Sequence, residues 1–343
     1  MSDFVYLLAI ESSCDETSCA VSCDDKILAN VTATQDVHSK YGGVVPELAS
    51  RAHQQNIVPV VSEALKRANV NKSMLHGVAF TRGPGLLGSL LVGASFAKSF
   101  ALAMNLPLIE VNHMQAHVLA HFIKLKDDQK VPAFPFLCLT VSGGHTQIVK
   151  VTDYLTMEVI GETLDDAAGE AFDKAAKIMG LPYPGGPLVD NYAREGNPMA
   201  YKFTHPDMAG LNYSFSGLKT GFMNFINKQK LADSNFVERN RADICASLQK
   251  TIIDILFKKL IKASELTGIN QIAIAGGVSA NSGLRNELIA QTEKRNWSVF
   301  IPPFEYCTDN AAMIAIAGYY KYLNKIFIRQ DAAPLARYKI GLD

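Results

Sequence analysis

The chain repeats one opening twice, about 130 residues apart: an apolar strand-like run, a short polar turn and a second apolar run. The first copy is VYLLAIE at 5–11, followed by SSCDETS and CAVSC. The second copy is FLCLTV at 136–141, followed by SGGHT and QIVKV. Each copy has the pattern of two strands joined by a tight turn. A hairpin that recurs at this distance predicts two similar halves.

Strand-like and helix-like segments alternate after each opening. The predicted strands are 77–81, 106–111 and 271–275, and the predicted helices are 89–104, 166–179 and 240–264. This alternation favours α/β layers with mostly parallel central strands. We therefore predict duplicated α/β domains around a cleft, covering 1–112 and 113–321, with 322–343 packing back on the first. The helix that follows Asn310 is also expected to pack toward the first half.

The charge balance excludes a protein that holds nucleic acid by net charge alone. Lys and Arg number 33 and Asp and Glu also number 33 among 343 residues, so a nucleic-acid role needs a local patch or a partner. A hydrophobic content of 48% allows a sizeable core and excludes disorder of the whole chain.

The six cysteines include no C-x-x-C pair, and no signal peptide precedes the first strand-like run. This pattern predicts reduced thiols in a cytoplasmic protein. The longest apolar run, 86–97, has 12 residues, whereas a membrane span needs about 20. We therefore expect a buried helix there and no membrane partner.

Three histidines recur every four residues in NHMQAHVLAHF, at His113, His117 and His121. On a helix they share one face, and two neighbouring imidazoles can bind one metal ion, whereas all three span about 12 Å. The alternative is a polar face of satisfied histidines. Met114 stands where a zincin-type protease needs a glutamate base, which disfavours that chemistry.

A third ligand for a two-histidine site is best supplied by Asp309, in YCTDNAA. Two imidazoles and one carboxylate with open positions suit Fe(II) or zinc. The alternative is a plain helix cap, because Thr308, Asp309 and Asn310 are all good N-cap residues.

Three glycine-rich turns have the composition of anion cradles, since glycine lets backbone N–H groups approach a phosphate closely. They are 142–146, 184–187 and 276–281. Ordinary turns remain the alternative. The segment 83–88 matches G-x-G-x-x-G, with Glu110 after the next strand, and imitates a dinucleotide fingerprint, although Pro84 removes one N–H donor. No Gly-Lys pair occurs, so no Walker A motif is present.

Asp166, Glu170 and Asp173 fall on one face of the helix predicted at 166–179. They form either a solvated acidic face paired with lysines, or a cleft in which Asp173 binds ribose hydroxyls. Thr163 with Asp166 resembles a capping box for the same helix.

Glu11, Asp15 and Glu16 make the first hairpin turn acidic. An acidic turn opposite a phosphate site repels the phosphate unless a cation lies between them. A metal-assisted site is therefore more coherent than simple phosphate binding.

Together these segments resemble the tRNA adenosine threonylcarbamoyltransferase family, once called O-sialoglycoprotein endopeptidases. The resemblance covers nearly the whole chain in order and has the bacterial pattern. It rests on eight segments: IESSCDETS (10–18), YGGVVPELASRAH (41–53), RGPGLLGSLLVG (82–93), NHMQAHVLAH (112–121), VSGGHT (141–146), GETLDDAAGEAFDKAAKIMGLPYPGGP (161–187), GGVSANSGLR (276–285) and CTDNAA (307–312).

The resemblance implies a duplicated actin/Hsp70-like (ASKHA) fold with an interdomain cleft, and transfer of threonylcarbamoyl from threonylcarbamoyl-AMP to N6 of the adenosine just 3′ of the anticodon, in tRNAs that read codons beginning with A. It implies one divalent metal, Fe(II) in first place or zinc, on His113, His117 and Asp309. The adenylate-binding residues that it implies are Thr140, Val141, Ser142, Gly143, Gly144, Asp173, Gly186, Asp190 and Asn281.

Under the same resemblance the 83–88 loop becomes structural, and Glu16 is a candidate general base. The implied partners are tRNA, an inactive paralogue of similar fold, a small P-loop ATPase and a separate synthase that makes the adenylate. Two other classes stay open: an ATPase or phosphotransferase of this fold, and a non-catalytic scaffold of the tRNA-modification assembly.

Overall fold

The computed structural model describes residues 4–126, 128–206 and 208–341. Its first sheet has the order β3-β2-β1-β4-β5, in which β1 pairs antiparallel with β2 and parallel with β4. The strands are β1 (Tyr6–Glu11), β2 (Thr17–Cys23), β3 (Lys26–Ala33), β4 (Gly77–Gly83) and β5 (Leu108–Asn112). The openings at 5–11 and 17–23 are therefore the hairpin that the sequence predicts.

The second sheet repeats the topology of the first, with the order β10-β9-β6-β7-β8. Here β6 is the central strand, antiparallel to β7 and parallel to β9. The strands are β6 (Phe136–Val141), β7 (Thr146–Asp153), β8 (Thr156–Glu162), β9 (Gln271–Ala275) and β10 (Ser298–Phe300). The α/β class and the duplicated halves are thus confirmed.

The helices form three layers: one on the outer face of each sheet and one between the two sheets. The structure contains α1 (Pro46–Ala68), α2 (Leu87–Met104), α3 (His113–Leu119), α4 (Ala168–Ile178), α5 (Gly185–Ala193), α6 (Ser216–Ala232), α7 (Phe236–Arg239), α8 (Arg241–Thr267), α9 (Ser282–Arg295) and α10 (Ala311–Leu323). Helices α1 and α2 cover the outer face of the first sheet, and α4, α6 and α8 contribute to the core on the outer face of the second. Helices α3 and α10 lie in the core between the sheets.

Strand β1 shows why two cores form on either side of one sheet. Leu7 and Ala9 face the core shared with α3 and α10, whereas Leu8 and Ile10 face the core under α1 and α2. Successive strand residues point to opposite faces, so an unbroken apolar run marks a strand buried on both sides.

Helix α2 contains the apolar run and is the described helix that is long and apolar enough, by length and composition, to cross a membrane. Its Ala94, Ala97 and Ala101 are buried against the first sheet. Only 33% of the helix is buried, so it covers the sheet with one face instead of being the fully buried helix that the sequence predicts.

Helix α10 and the segment after it lie on the first sheet. A Cβ at Gly318 would stand 2.7 Å from that of Ala79, so α10 approaches the sheet closely. Further along, the Leu335 N–H donates to the Arg82 carbonyl (2.8 Å) and Asn112 Nδ2 donates to the Tyr338 carbonyl (3.1 Å). The division into domains at residue 112 stays a prediction.

The capping box predicted for α4 is wrong. Thr163 Oγ1 donates to the Asp166 carbonyl, because Thr163 still lies in a bridge with Tyr213 and precedes the helix. The first turn is capped by tertiary contacts instead: the Ala168 N–H donates to Thr146 Oγ1 (2.9 Å), and the next residue's N–H donates to the Ser142 carbonyl.

Candidate active site

Helix α3 begins directly at the end of β5. Asn112 ends the strand and caps the helix, its Oδ1 accepting from the N–H groups of Met114 (2.9 Å) and Gln115 (3.2 Å). Every residue of α3 is buried between the two sheets. His113 and His117 are therefore held inside the molecule by a short rigid helix.

Asp309 approaches both imidazoles from the far end of the chain. Its Oδ1 lies 3.3 Å from His113 Nε2 and 3.2 Å from His117 Nε2. One ligand atom from each of the three residues falls within 4.8 Å of the others. The structure thus brings together the three residues that the sequence associates with a metal.

Asp309 does not cap the helix that follows it. Asn310 does so, its Oδ1 accepting from the Met313 N–H (3.1 Å), and the first helical N–H of Ala311 donates to Ser18 Oγ (3.0 Å). The alternative that Asp309 is a plain cap is therefore wrong. Its carboxylate points to the histidines because the neighbouring asparagine satisfies the helix.

Glu11 is buried at the end of β1 and supports His113 from behind. Its Oε2 accepts from His113 Nδ1 (3.0 Å) and from Thr81 Oγ1 (2.5 Å), while its Oε1 accepts from the Ser13 N–H (2.5 Å). Because Nδ1 donates to Glu11, Nε2 is the ring nitrogen that faces Asp309 and is placed to ligate a cation. A carboxylate behind a histidine is the usual outer partner of a metal ligand.

The cluster has strongly perturbed ionisation. Burial by itself lowers the pKa of His113, but the carboxylates of Asp309 and Glu11 outweigh it and hold that pKa well above its usual value. Burial also opposes ionisation of Asp309, yet the two imidazoles lower its pKa far below the usual range. Burial lowers the pKa of His117.

These residues fit a divalent cation. Their donor atoms already converge, all within 4.8 Å of one another. Two imidazole nitrogens and one carboxylate oxygen form a donor set suited to Fe(II) or zinc.

His121 does not join the cluster. Helix α3 ends at Leu119 and a 3-10 turn follows, so the third histidine leaves the face shared by the other two. Its Nε2 donates to the Ile274 carbonyl in β9 (2.9 Å), and burial lowers its pKa to about 4. His121 therefore ties the metal-site helix to the second sheet.

Two of the three glycine-rich turns, at 142–146 and 276–281, meet at the end of β6, near this cluster. A Cβ on Gly276 would lie 2.5 Å from the Val141 carbonyl oxygen, and one on Gly169 would lie 2.5 Å from that of Ser142. Thr140 and Val141 are buried strand residues, whereas Gly143 and Gly144 are exposed. The SGGHT turn and the GGVSAN loop thus lie on the same side, as the sequence predicts.

His145 connects this turn to the metal ligands. Burial, followed by the positive charges of His113 and His117, lowers the pKa of His145 to about 4. Its N–H donates to Ser142 Oγ (3.1 Å), which closes the turn. Sequence reasoning did not single out His145, although its place between the glycine pair and β7 marks it as part of the turn.

Three further residues predicted to bind the adenylate, Asp173, Gly186 and Asp190, form hydrogen bonds within the second half. Asp173 Oδ1 accepts from the N–H groups of Gly185 (2.8 Å) and Gly186 (3.0 Å). The Asp190 carboxylate accepts from Ser282 Oγ (2.7 Å) and from Arg194. Their binding of substrate stays a prediction.

Asn281 has both ends of its side chain engaged. Its Oδ1 caps α9 by accepting from the Leu284 N–H (2.9 Å), and its Nδ2 donates to Gln249 Oε1 (2.7 Å). Of the two alternatives for the acidic face of α4, Asp166 and Glu170 follow the one in which acidic residues pair with lysines. Lys174 forms ion pairs with both carboxylates (2.8 and 2.7 Å).

The acidic turn of the first half faces the cluster and the YPGGP segment. Burial, then the charges of Asp309 and Asp15, raise the pKa of Glu16 to about 9. Burial, then Asp15 and Asp173, raise the pKa of Tyr183 to about 12. A carboxyl group with the pKa of Glu16 is protonated near pH 7, which favours a hydrogen-bond donor, and its role as a base stays a prediction.

The C-terminal segment of the chain packs directly against the G-x-G-x-x-G loop at 83–88. A Cβ on Gly83 would lie 1.8 Å from the Leu335 carbonyl oxygen, and the Gly85 N–H donates to the Ala336 carbonyl (3.2 Å). The C-terminal segment occupies the place that a pyrophosphate would need, so this loop is structural.

Solved structures share the fold of this chain. HypF from T. kodakarensis aligns with a TM-score of 0.60 at 13% identity, covering 94% of this chain and 48% of that one. Component A of the (R)-2-hydroxyglutaryl-CoA dehydratase of Acidaminococcus fermentans aligns with a TM-score of 0.54 at 14% identity, covering 93% and 99%. The duplicated actin/Hsp70-like fold is thereby confirmed.

Sequence relatives are much closer. A protein of Christiangramia forsetii called tRNA N6-adenosine threonylcarbamoyltransferase is 64% identical over 335 residues, which cover 98% of each chain. One of the same name from Cytophaga hutchinsonii is 61% identical over 337 residues, covering 98% of this chain and 97% of that one. The family model of the same description matches residues 26–316. This chain belongs to the tRNA N6-adenosine threonylcarbamoyltransferase family.

Proposed function

We propose that this protein is an acyltransferase that moves the threonylcarbamoyl group from threonylcarbamoyl-AMP to N6 of the adenosine just 3′ of the anticodon, in tRNAs that read codons beginning with A. The observation that carries the proposal is the 64% identity, over 98% of both chains, to a relative called tRNA N6-adenosine threonylcarbamoyltransferase. The cluster of His113, His117 and Asp309 beside the glycine-rich turns supports it.

His113, His117 and Asp309 would hold a divalent cation, Fe(II) in first place or zinc, with Glu11 orienting the first histidine. When bound, such an ion supplies Lewis-acid polarisation of a substrate oxygen and offsets negative charge. The acidic turn with Glu11, Asp15 and Glu16 requires that compensation beside an adenylate.

The second half would bind the adenylate. The exposed backbone of Gly143 and Gly144 offers N–H groups to the phosphate, beside the half-buried Ser142. Thr140, Val141, Asp173, Gly186, Asp190 and Asn281 would complete the pocket. Both loop N–H groups donate to Oδ1 of Asp173. The other carboxylate oxygen, Oδ2, would accept hydrogen bonds from ribose hydroxyls.

In the transfer, the N6 lone pair forms a bond to the carbamoyl carbon. The bond from that carbon to the adenylate oxygen breaks, AMP leaves with the electron pair, and N6 loses one proton. The exocyclic amine of adenine is a weak nucleophile, so positioning of the two substrates supplies much of the rate. Glu16 is the candidate base: a cation on Asp309 would offset the charge that keeps this carboxyl protonated, and the resulting carboxylate would accept the proton.

The partners follow from the reaction and the charge balance. With 33 basic and 33 acidic residues, tRNA binding would be shared with an inactive paralogue of similar fold and a small P-loop ATPase. A separate synthase would supply the adenylate. We place the reaction in the cytoplasm, where tRNA is modified and the free cysteines stay reduced.

The test is mass analysis of nucleosides from tRNA incubated with threonylcarbamoyl-AMP, this protein and its partners. We expect N6-threonylcarbamoyladenosine, and none when Asp309→Asn replaces the wild type. ATP hydrolysis without tRNA would favour a phosphotransferase of the same fold. Full modification by a variant lacking all three ligands would favour a scaffold.

A further inference from the structure

Arg285, in the first turn of α9, reaches two segments that border the site. Its Nε donates to the Ser279 carbonyl (2.7 Å), inside the GGVSAN loop. Its Nη2 donates to the Pro302 carbonyl (2.9 Å) and to Cys307 Sγ (3.1 Å), in the segment that leads to Asp309. One guanidinium therefore cross-links a predicted adenylate loop to the segment that carries a metal ligand.

Two of the three acceptors are backbone carbonyls, so the contribution of Arg285 lies in the geometry of its donors. The Phe304 ring lies 3.8 Å from Cζ and covers one face of the guanidinium. Arginine presents several N–H groups in one rigid plane, whereas lysine carries a point charge on a flexible stem. An Arg285→Lys change would keep the charge and lose the fork.

The segment between β10 and α10 contains one short turn, and the backbone hydrogen bonds of that turn lie within the segment. The Tyr306 N–H donates to the Pro303 carbonyl (3.0 Å) and the Cys307 N–H to the Phe304 carbonyl (3.2 Å). The Cys307 thiol is fully buried beside Arg285, two residues before Asp309. The bonds from Arg285 link this self-contained turn to the second half.

We propose that Arg285 is a positioning residue that sets Asp309 at the distance its histidine partners need and fixes the GGVSAN loop at the same time. It acts through the Pro302–Cys307 segment on one side and through Ser279 on the other. The inference rests on the proposed function, which assigns the cation to Asp309 and the adenylate to the loop.

The experiment measures Co(II) affinity by visible absorption and AMP affinity by calorimetry on the folded full chain. For Arg285→Lys we expect Co(II) binding to weaken severalfold, which is less than the roughly tenfold at the lower end of the range for losing a direct partner of a metal ligand. AMP binding measured at saturating Co(II) should also weaken severalfold. The matched control is Arg295→Lys, the same change on the same helix, where the side chain contacts Gln291 and Glu265.

Unchanged Co(II) affinity in a folded Arg285→Lys protein overturns the inference, as does an equal loss in Arg295→Lys. If Arg285→Lys does not fold, Cys307→Ala removes one acceptor alone and should weaken Co(II) binding by a smaller factor; no loss there also overturns it. A wild-type protein that binds Co(II) but no AMP contradicts the proposed adenylate site, while the Co(II) comparison still decides the role of Arg285.

Discussion

At the scale of residues, the site depends on side chains that remain available for ligation because neighbouring residues make the structural hydrogen bonds. Asn310 caps α10, so the carboxylate of Asp309 is left for the histidines. Glu11 accepts from Nδ1 of His113, so the Nε2 of that ring is left for a cation. The chemistry is concentrated in a few atoms, and single changes should separate function from folding.

We predict that Asp309→Asn removes bound metal and transfer activity while the protein stays folded. Asparagine loses the negative charge that balances a cation, and α10 keeps the cap that Asn310 provides. Metal analysis, an activity assay and the thermal midpoint test this. A folded variant with full metal content would contradict the assignment of Asp309 and weaken that of His113 and His117.

We predict that Glu11→Gln weakens metal binding by about tenfold or more, because an amide no longer stabilises a proton on His113 Nδ1 as a carboxylate does. Competition with a chelator measures the affinity. Glu63→Gln, on the exposed face of α1, is the matched control. Equal affinities for Glu11→Gln and the wild type would show that the buried carboxylate does not orient the ligand.

At the scale of elements, short helices are held by contacts from distant parts of the chain. The first N–H of α4 is capped by Thr146 in β7, and the 3-10 turn after α3 contains His121, which donates to β9. These contacts join helices that border the site to the second sheet.

We predict that Thr146→Val lowers the free energy of unfolding by about 1 kcal/mol, the usual cost of a lost N-cap. It should also weaken AMP binding, because the start of α4 supports the SGGHT turn. Urea unfolding and calorimetry measure the two effects. Thr152→Val, at an exposed position of the same strand, should change neither, and a Thr146→Val protein of wild-type stability would refute the cap.

We predict that stability falls between pH 7 and pH 5 in part through His121. Its folded-state pKa of about 4 lies below the unfolded value of about 6.5. Between these two values the His121 imidazole is protonated in the unfolded chain and neutral in the folded protein. The loss amounts to about 2 kcal/mol over this interval. Urea unfolding of His121→Gln should show a shallower decline, and exposed His205→Gln should not; identical slopes for all three proteins would contradict the assignment.

At the scale of the whole molecule, two sheets of one topology enclose α3 and α10, and the C-terminal segment closes over the first sheet. The chain carries no formal net charge, with 33 basic and 33 acidic residues. A molecule of this balance has no long-range attraction for a polyanion.

We therefore predict that the protein alone binds tRNA weakly and that the affinity falls steeply with salt, because local phosphate contacts release counterions. Fluorescence anisotropy with labelled tRNA at two salt concentrations measures this. Adding the partner proteins should strengthen binding. Tight, salt-insensitive binding by the protein alone would contradict the charge argument.

The sequence by itself determined the elements whose signal is local. Strands β6 and β9 have the predicted bounds, and the spacing of His113 and His117 places both on one face of a helix, because strand and helix periodicities are properties of neighbouring residues.

Only the tertiary structure decided which distant groups meet. The support of His113 by Glu11, the Thr146 cap and the partner of His121 all arise where two sheets pack around a shared core. The sequence nominated Asp309 as a ligand, but its distance to His117 is set by the same packing. No local pattern encodes such contacts, since they depend on how separate elements are layered.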